Sequence, residues 1–259
     1  MELLVVLLIV STLAALLVPA LVKARQKTHG LACMNNSRQL ALAWLMYADD
    51  HGGRLVENRH GNDARNGANP NNWVSGWMDW GPGSDNTNTL LLTDPAYAKL
   101  ALYAARSAKL YKCPADSFQA RLNPGPRARS VSMNAALGNG NKQNFANWSP
   151  PFFFAIRLAD LTKPQPADTW VFVDEHPDSI NDGCFFLNPL ETGAGASWKD
   201  LPASYHHGAA GFAFADGHAE IKRWLESRTR RPVTLGDFPG LACPYSLDYL
   251  WVAERTPRR

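Results

Sequence analysis

The chain has 259 residues, 26 of them Lys or Arg and 23 Asp or Glu, which gives a net charge of +3. With positive and negative charges nearly balanced, the chain as a whole does not have the excess of basic residues that is typical of nucleic-acid-binding proteins. We therefore exclude nucleic acid as a main partner. About two hundred residues follow the helical region at the N-terminus, enough for one compact domain or one domain with large insertions.

The N-terminal segment, residues 1–22, reads MELLVVLLIVSTLAALLVPALV and has no charged residue from Leu3 to Val22. At about 1.5 Å per residue a helix of this length spans roughly 30 Å, the thickness of the hydrocarbon core of a bilayer. A secretory signal peptide would begin with basic residues and have a shorter apolar core. The segment therefore predicts a transmembrane helix that stays on the protein.

The helical pattern continues over residues 23–52. His51-Gly52-Gly53 is a typical helix stop. We expect this half of the helix to be amphipathic and to pack on a head formed by residues 53–259. Its apolar stripe recurs at steps of three and four residues and consists of Cys33, Ser37, Leu40, Trp44 and Tyr47.

The head is predicted to be mostly β-structure. Thr93-Asp94-Pro95 resembles a helix start and predicts a helix over 96–111. The runs at 169–174 and 184–187 are apolar, β-branched and aromatic, which favours two strands paired with each other. The fold class is therefore α+β, with a long N-terminal helix, membrane half plus amphipathic half, packed on an antiparallel β-sheet with long loops.

The strongest local prediction is a hairpin over 211–224, with Asp216-Gly217 as a two-residue turn. This turn pairs Phe212 with Ile221 and Phe214 with Ala219. All four side chains would then share one apolar face.

Polar side chains crowd one loop of the head and recur further along. Histidine and carboxylate groups are ligands for zinc or manganese, and oxygen-rich loops suit calcium. An EF-hand is excluded because Ile180 stands where a ligand is needed. Hydrogen bonds within the loops are the favoured interpretation, and a bound metal, calcium first, is the alternative. The candidate ligands are Asp174, Glu175, His176, Asp178, Asp182, His206 and Asp216.

Three tryptophans lie close together at Trp73, Trp77 and Trp80. Exposed indoles would stack on a sugar or peptide, although clustered tryptophan is more often packing. A hydrolase built on His176, His206 and Asp216 is disfavoured, because the chain has no GxSxG, HExxH or P-loop motif. We therefore expect no enzymatic activity.

Four cysteines, Cys33, Cys113, Cys184 and Cys243, are widely spaced and include no CxxC pair. This spacing disfavours a zinc knuckle, and three complete disulfide pairings are open. Cys33 would equally suit a buried free thiol on the helix stripe.

The sequence ELLVVLLIVSTLAALLVPALVKAR resembles the N-terminal helix of type IV pilins and type II secretion pseudopilins. Glu2 and Pro19 match the glutamate and the helix-kinking proline of that family. His206, nine residues and then Asp216-Gly217 resemble the H-x9-DG element of large pseudopilin-like proteins of planctomycete and verrucomicrobial type. Four further stretches of this chain resemble motifs of the same pseudopilin-like proteins. They are YKCPAD (111–116), SMN (132–134), VDEHPDSINDG (173–183) and SYHHG (204–208).

The resemblance implies a pilin-like structural subunit of a type II secretion system or type IV pilus-type filament, anchored in the membrane before assembly. Glu2 would neutralise the amino terminus of a neighbouring subunit and set axial register, and Pro19 would kink the helix. Partners would be the membrane, homo- or hetero-oligomeric pilin-like subunits and a secretion assembly platform. A prepilin peptidase would process a leader that we expect upstream of Met1.

The implied location is the inner membrane, crossed once, with the head in the periplasm or outside. The alternative is a non-polymerising, membrane-anchored envelope protein whose head binds a ligand such as a polysaccharide.

Overall fold

The computed structural model describes residues 2–65, 69–140 and 153–258. In the N-terminal helix it describes no side chains at positions 2, 5, 8–10, 19, 20 and 22–26, so those of Glu2 and Pro19 lie outside the described residues. The helices are α1 (Glu2–Asp50), α2 (Leu90–Thr93) and α3 (Leu247–Glu254). The strands are β1 (Val131–Asn134), β2 (Trp170–Asp174), β3 (Cys184–Phe185), β4 (Ser197–Trp198), β5 (Ala209–Phe214), β6 (Ala219–Arg223) and β7 (Leu241–Ala242).

The main sheet has five strands in the order β3-β1-β2-β5-β6. Neighbours are antiparallel except for β1 and β3, which run parallel with Met133 opposite Cys184. The predicted strands β2 and β3 are confirmed, but their predicted pairing is wrong because β1 lies between them. β4 and β7 form a separate two-stranded ribbon.

Both faces of the main sheet are covered. On one face α1 contributes Leu40 and Trp44 to a core that includes Phe172 of β2. The opposite face carries Trp170 and Phe212, which pack with side chains of α3 and the β4–β7 ribbon. Because a strand buried on both sides needs apolar residues at successive positions, β2 is continuously apolar from Trp170 to Val173.

The C-terminal part of helix α1 packs on the sheet, and the helix contacts β5, β6 and β2. The predicted stripe is buried at Cys33, Ser37, Leu40 and Trp44. Gly30 is also buried, and a Cβ there would lie 3.2 Å from Ile221 Cδ1. The absent side chain therefore lets α1 approach β6 closely.

The hairpin is confirmed, but its predicted register is wrong by one residue. Phe212 faces Glu220, and Ile221 faces Gly211. The connection is a three-residue loop, Ala215 to Gly217, and Gly217 has φ +91°, as in hairpins closed by a left-handed glycine. The extra residue turns every β6 side chain to the opposite face. Ile221 thus faces α1 and not the side of Phe212.

The helix predicted over 96–111 is wrong. The chain there makes successive turns and a 3₁₀ helix, Ala108–Tyr111. Ala105 and Arg106 have φ of 51° and 52°, left-handed values that an α-helix cannot contain. Thr93 is the last residue of the short helix α2 and Asp94 is its C-cap, so Thr93-Asp94-Pro95 ends a helix and does not start one.

The predicted fold class is also wrong, although the protein is α+β. The sheet is mixed and not antiparallel, because the parallel strand β3 joins its edge. The part of α1 that packs on it is short, from Gly30 to Asp50. Within the described ranges, no helix combines the length and the apolar character needed to cross a membrane. This finding corrects the predicted membrane half of α1 and the predicted single-pass location in the inner membrane.

Candidate metal centre

Four side chains that are common metal ligands meet where α1 packs on the main sheet. Cys33 comes from α1, Cys113 from the loop after the 108–111 turn, Asp174 from the end of β2, and His206 from the loop before β5. One ligand atom from each lies within 4.8 Å of the other three. Folding therefore joins residues that are far apart in the chain, such as Cys33 and Asp174, which are 141 positions apart.

The distances converge on a common point. Cys113 Sγ lies 3.3 Å and Asp174 Oδ2 3.7 Å from the same atom, His206 Nε2. Cys33 donates its S–H to Asp174 Oδ2 at 2.9 Å. A Cys-His-Asp catalytic triad needs the carboxylate on the imidazole nitrogen that does not face the nucleophile. Here the Cys113 thiol and the Asp174 carboxylate both approach His206 Nε2. This arrangement does not fit a catalytic triad and fits ligands placed around a metal ion.

Backbone groups hold the ligands in place. The N–H of Ala115 donates to Cys113 Sγ at 3.4 Å, and the N–H of Gly211 donates to Asp174 Oδ2 at 3.1 Å. The other carboxylate oxygen, Asp174 Oδ1, is buried and makes no hydrogen bond to the described residues. Such outer contacts orient ligands in metal sites, and an unsatisfied buried carboxylate oxygen is costly without a cation.

The pKa values of the two thiols and the imidazole depend on one another. Contact with Cys33 lowers the pKa of the Cys113 thiol, and burial opposes this without reversing it. The same contact, reinforced by burial, raises the pKa of Cys33 well above its usual value. Burial lowers the pKa of His206, but hydrogen bonds to Asp174 and Cys113 outweigh it and raise the pKa to about 10. Cys113 is thus the thiol that ionises first, next to a protonated His206.

Gly211 gives a first prediction. A Cβ at this position would lie 2.9 Å from Asp174 Oδ2 and 3.1 Å from Cys33 Sγ. We expect Gly211→Ala to lower the free energy of unfolding by about 1–3 kcal/mol, because buried groups on both α1 and β2 must shift. Urea unfolding checks this against Gly195→Ala, where a Cβ meets nothing within 4 Å. Equal effects of the two substitutions would contradict the tight packing described here.

Only two of the seven predicted ligands join the centre, Asp174 and His206. The others make hydrogen bonds elsewhere: Glu175 with Ser179, His176 with the Arg231 carbonyl, Asp178 with Thr234 and Leu235, Asp182 with Gly61 and Cys184, and Asp216 with His218. Among the described residues, no second group of three or more potential ligands comes together. Nothing here identifies calcium.

The sequence reasoning missed both thiol ligands, because the wide spacing of the cysteines disfavoured a zinc knuckle and left disulfides or a buried thiol as the interpretations. All four cysteines are buried. The available signal was the position of Cys33 on the packed stripe of α1, together with Cys113 in one of the motifs shared with the resembled group. Three of the four ligands, Cys113, Asp174 and His206, belong to those motifs.

The tryptophans proposed to bind a ligand occupy different environments. Trp73 is completely buried, and its Nε1–H donates to Asn58 Oδ1 and the Gly183 carbonyl, both at 3.1 Å. Trp77 and Trp80 are half-buried beneath the guanidinium groups of Arg65 and Arg127, at 4.0 and 4.5 Å from the ring centres. The Trp73 indole is therefore a core side chain, with no face available to a ligand.

The His60–Asp182 pair gives a second prediction. His60 Nδ1 lies 2.8 Å from Oδ2 of the buried Asp182 carboxylate. This hydrogen bond raises the pKa of His60. Burial of the ring lowers the pKa by a smaller amount, so the net shift is upward. The pair therefore stabilises the fold fully below the unfolded pKa of about 6.5, and the stabilisation is lost as the pH rises through the folded pKa.

We expect His60→Gln to reduce the pH dependence of the urea midpoint between about pH 6 and 8. His207→Asn, at an exposed position with φ +56°, is the control and should retain the wild-type dependence. An unchanged pH profile for His60→Gln would contradict this assignment.

No protein-family model matches this chain, and comparison with curated proteins and with solved structures gives no match. The pilin-type resemblance therefore depends on the sequence motifs alone.

Proposed function

We propose that this chain is a structural subunit of a pseudopilin-type filament and that it assembles through the N-terminal part of α1. Its role is then mechanical and not catalytic. The observation that supports this proposal is the exposure of the large apolar side chains described there, each 54–74% accessible. They are Leu3, Leu4, Val6, Leu7, Leu13, Leu16, Leu17, Val18 and Leu21.

These side chains surround the helix. Successive residues of an α-helix are rotated by about 100°, so Leu16, Leu17 and Val18 point in three different directions. A single partner helix would cover one stripe and leave the remainder in water. Burial of each leucine contributes about 1.5–3 kcal/mol, so the arrangement favours enclosure by several helices, as in the centre of a filament.

Further copies of this chain are the occupants that fit best. No charged residue lies between Leu3 and Leu21, so nothing in the segment selects a charged partner. Glu2 precedes it and Lys23 follows it, which places opposite charges at its two ends in the sequence. Axially staggered copies would bring such ends together, and the α-helix continues from this segment into the head.

A buried charge tests the proposal. We expect Leu16→Lys to abolish filaments of the full-length chain, because a lysine enclosed by apolar helices would be desolvated without a partner. The matched control is Leu122→Lys on the head, since Leu122 is 69% exposed and Leu16 is 73% exposed. Electron microscopy and sedimentation would measure assembly. Circular dichroism would show that both heads fold.

Normal filaments formed by Leu16→Lys, or equal loss in the control, would contradict the proposal. Glu2→Ala tests the register role in the same assay, with Glu220→Ala in β6 as its control. We expect only the first of these to lose ordered filaments.

A further inference from the structure

We propose that Cys33, Cys113, Asp174 and His206 bind one zinc ion, which attaches α1 to the main sheet. This inference is independent of the filament, because it concerns the interior of the head. It assigns a structural metal site of the Cys₂-Asp-His type.

The donor set matches zinc and not calcium. Two sulfurs, one nitrogen and one carboxylate oxygen suit a tetrahedral zinc ion, whereas calcium needs six to eight oxygens. Zinc bond lengths of about 2.0–2.3 Å imply donor–donor separations of roughly 3.3–3.8 Å. The separations from His206 Nε2, 3.3 and 3.7 Å, already fall in this range. Cys33 and Asp174, at 2.9 Å, would need to move apart by roughly 0.6 Å.

The surroundings are those of a closed, structural site. Cys33, Cys113 and Asp174 are buried, and the His206 side chain is only 6% exposed. Four protein ligands complete a tetrahedron, so no position is left for water or substrate. Zinc would also provide a cation for the Asp174 carboxylate, whose Oδ1 is otherwise unsatisfied.

Proton balance follows from the ligand types. Zinc binds thiolates and neutral imidazole, so the protons of the thiols and of the His206 Nε2 atom leave to solvent on binding. No oxidant or reductant takes part.

The ion would join segments that are distant in the chain. Cys33 is 141 residues from Asp174, and Cys113 is 93 residues from His206. Closing such long loops restricts the unfolded chain strongly. The consequence in the folded state is a fixed position of α1 relative to β2 and the loop before β5.

The test uses the reduced, metal-free, full-length chain titrated with Zn²⁺, with bound metal measured by elemental analysis. We expect one zinc per chain, and at least about tenfold weaker binding for Cys113→Ser and His206→Gln. The matched control is Cys243→Ser, because Cys243 is a buried free cysteine outside the centre. This control should bind zinc as tightly as the wild type.

Cobalt provides a second measurement that requires no substitution. Co²⁺ bound to the wild-type chain should show tetrahedral visible bands and a thiolate charge-transfer band. An octahedral spectrum without charge transfer would overturn the proposal even if a ligand variant failed to fold. No zinc bound by the reduced chain, a Cys33–Cys113 disulfide with no metal binding after reduction, or equal loss in Cys243→Ser would also overturn it. The assembly variant Leu16→Lys should bind zinc normally, which separates this result from the filament assay.

Discussion

Replacement of Trp73 by alanine is expected to lower the free energy of unfolding by about 3–5 kcal/mol. Its indole is completely buried, with ring centres 5.0 Å from Phe172 and 6.0 Å from Tyr111. Alanine would leave a large cavity and remove the donor to Asn58 Oδ1 and the Gly183 carbonyl. Gly183 packs directly against the ring, since a Cβ there would lie 2.7 Å from Trp73 Nε1.

Urea unfolding of Trp73→Ala and Trp77→Ala, compared in the same buffer, measures this difference. Trp77 is half-buried and the Arg65 guanidinium lies over its ring, so its loss should cost about 1 kcal/mol. A ligand-binding role for Trp73 would instead give a stable variant that loses only binding. That outcome would contradict its placement in the core.

The Gly138→Ala substitution is expected to destabilise the fold by at least about 3 kcal/mol. A Cβ at this position would lie 2.3 Å from the Val56 carbonyl oxygen and 3.1 Å from Glu57 Cα. Both atoms belong to the backbone, so no change of rotamer relieves the overlap. Gly138 also has φ +78°, a left-handed value that disfavours any residue with a Cβ.

Gly52→Ala separates the two causes. Gly52 has φ +62°, but a Cβ there would meet nothing within 4 Å. It should therefore lose only the conformational part, about 1 kcal/mol, when both variants are followed by chemical denaturation. A loss for Gly138→Ala no greater than for Gly52→Ala would show that the segment at Val56 is free to move away.

Local signals predicted the elements that depend on near neighbours. The stop at His51-Gly52-Gly53 is where α1 ends, and the apolar run at 170–174 is β2. The Asp216-Gly217 turn predicted the position of the hairpin correctly, but it predicted a loop of two residues where the structure has three. One extra loop residue was enough to exchange the faces of β6.

The errors came from contacts between distant segments. β1 is short, and its residues Ser132 and Asn134 are polar although buried, so no apolar pattern indicated a strand. Because β1 was not predicted, β2 and β3 were expected to pair directly in an antiparallel sheet. In the structure β1 lies between them and pairs parallel with β3, which makes the sheet mixed. For 96–111, the alanine-rich composition favoured a helix, but the left-handed conformation of Ala105 and Arg106 prevents one.

Two of the four ligands of the candidate metal centre were predicted, and the other two were missed because they come from distant segments of the chain. Asp174 and His206 were identified because histidine and carboxylate clusters suggest metals. Neighbouring acids such as Asp178 and Asp182 shared that signal, yet each accepts hydrogen bonds from nearby backbone N–H groups. Placing the thiols requires knowing that Cys33 of α1 and Cys113 of the loop after 108–111 both lie beside Asp174 at the end of β2.

The central claim is that copies of this chain assemble through the N-terminal part of α1. A photo-crosslinking benzophenone amino acid in place of Leu13, an exposed side chain in that part, tests it most directly in assembled full-length protein. The account predicts that mass spectrometry finds position 13 joined to a residue before Gly30 in another copy. Crosslinks confined to the same chain, to an unrelated protein or to the head of another copy would contradict it.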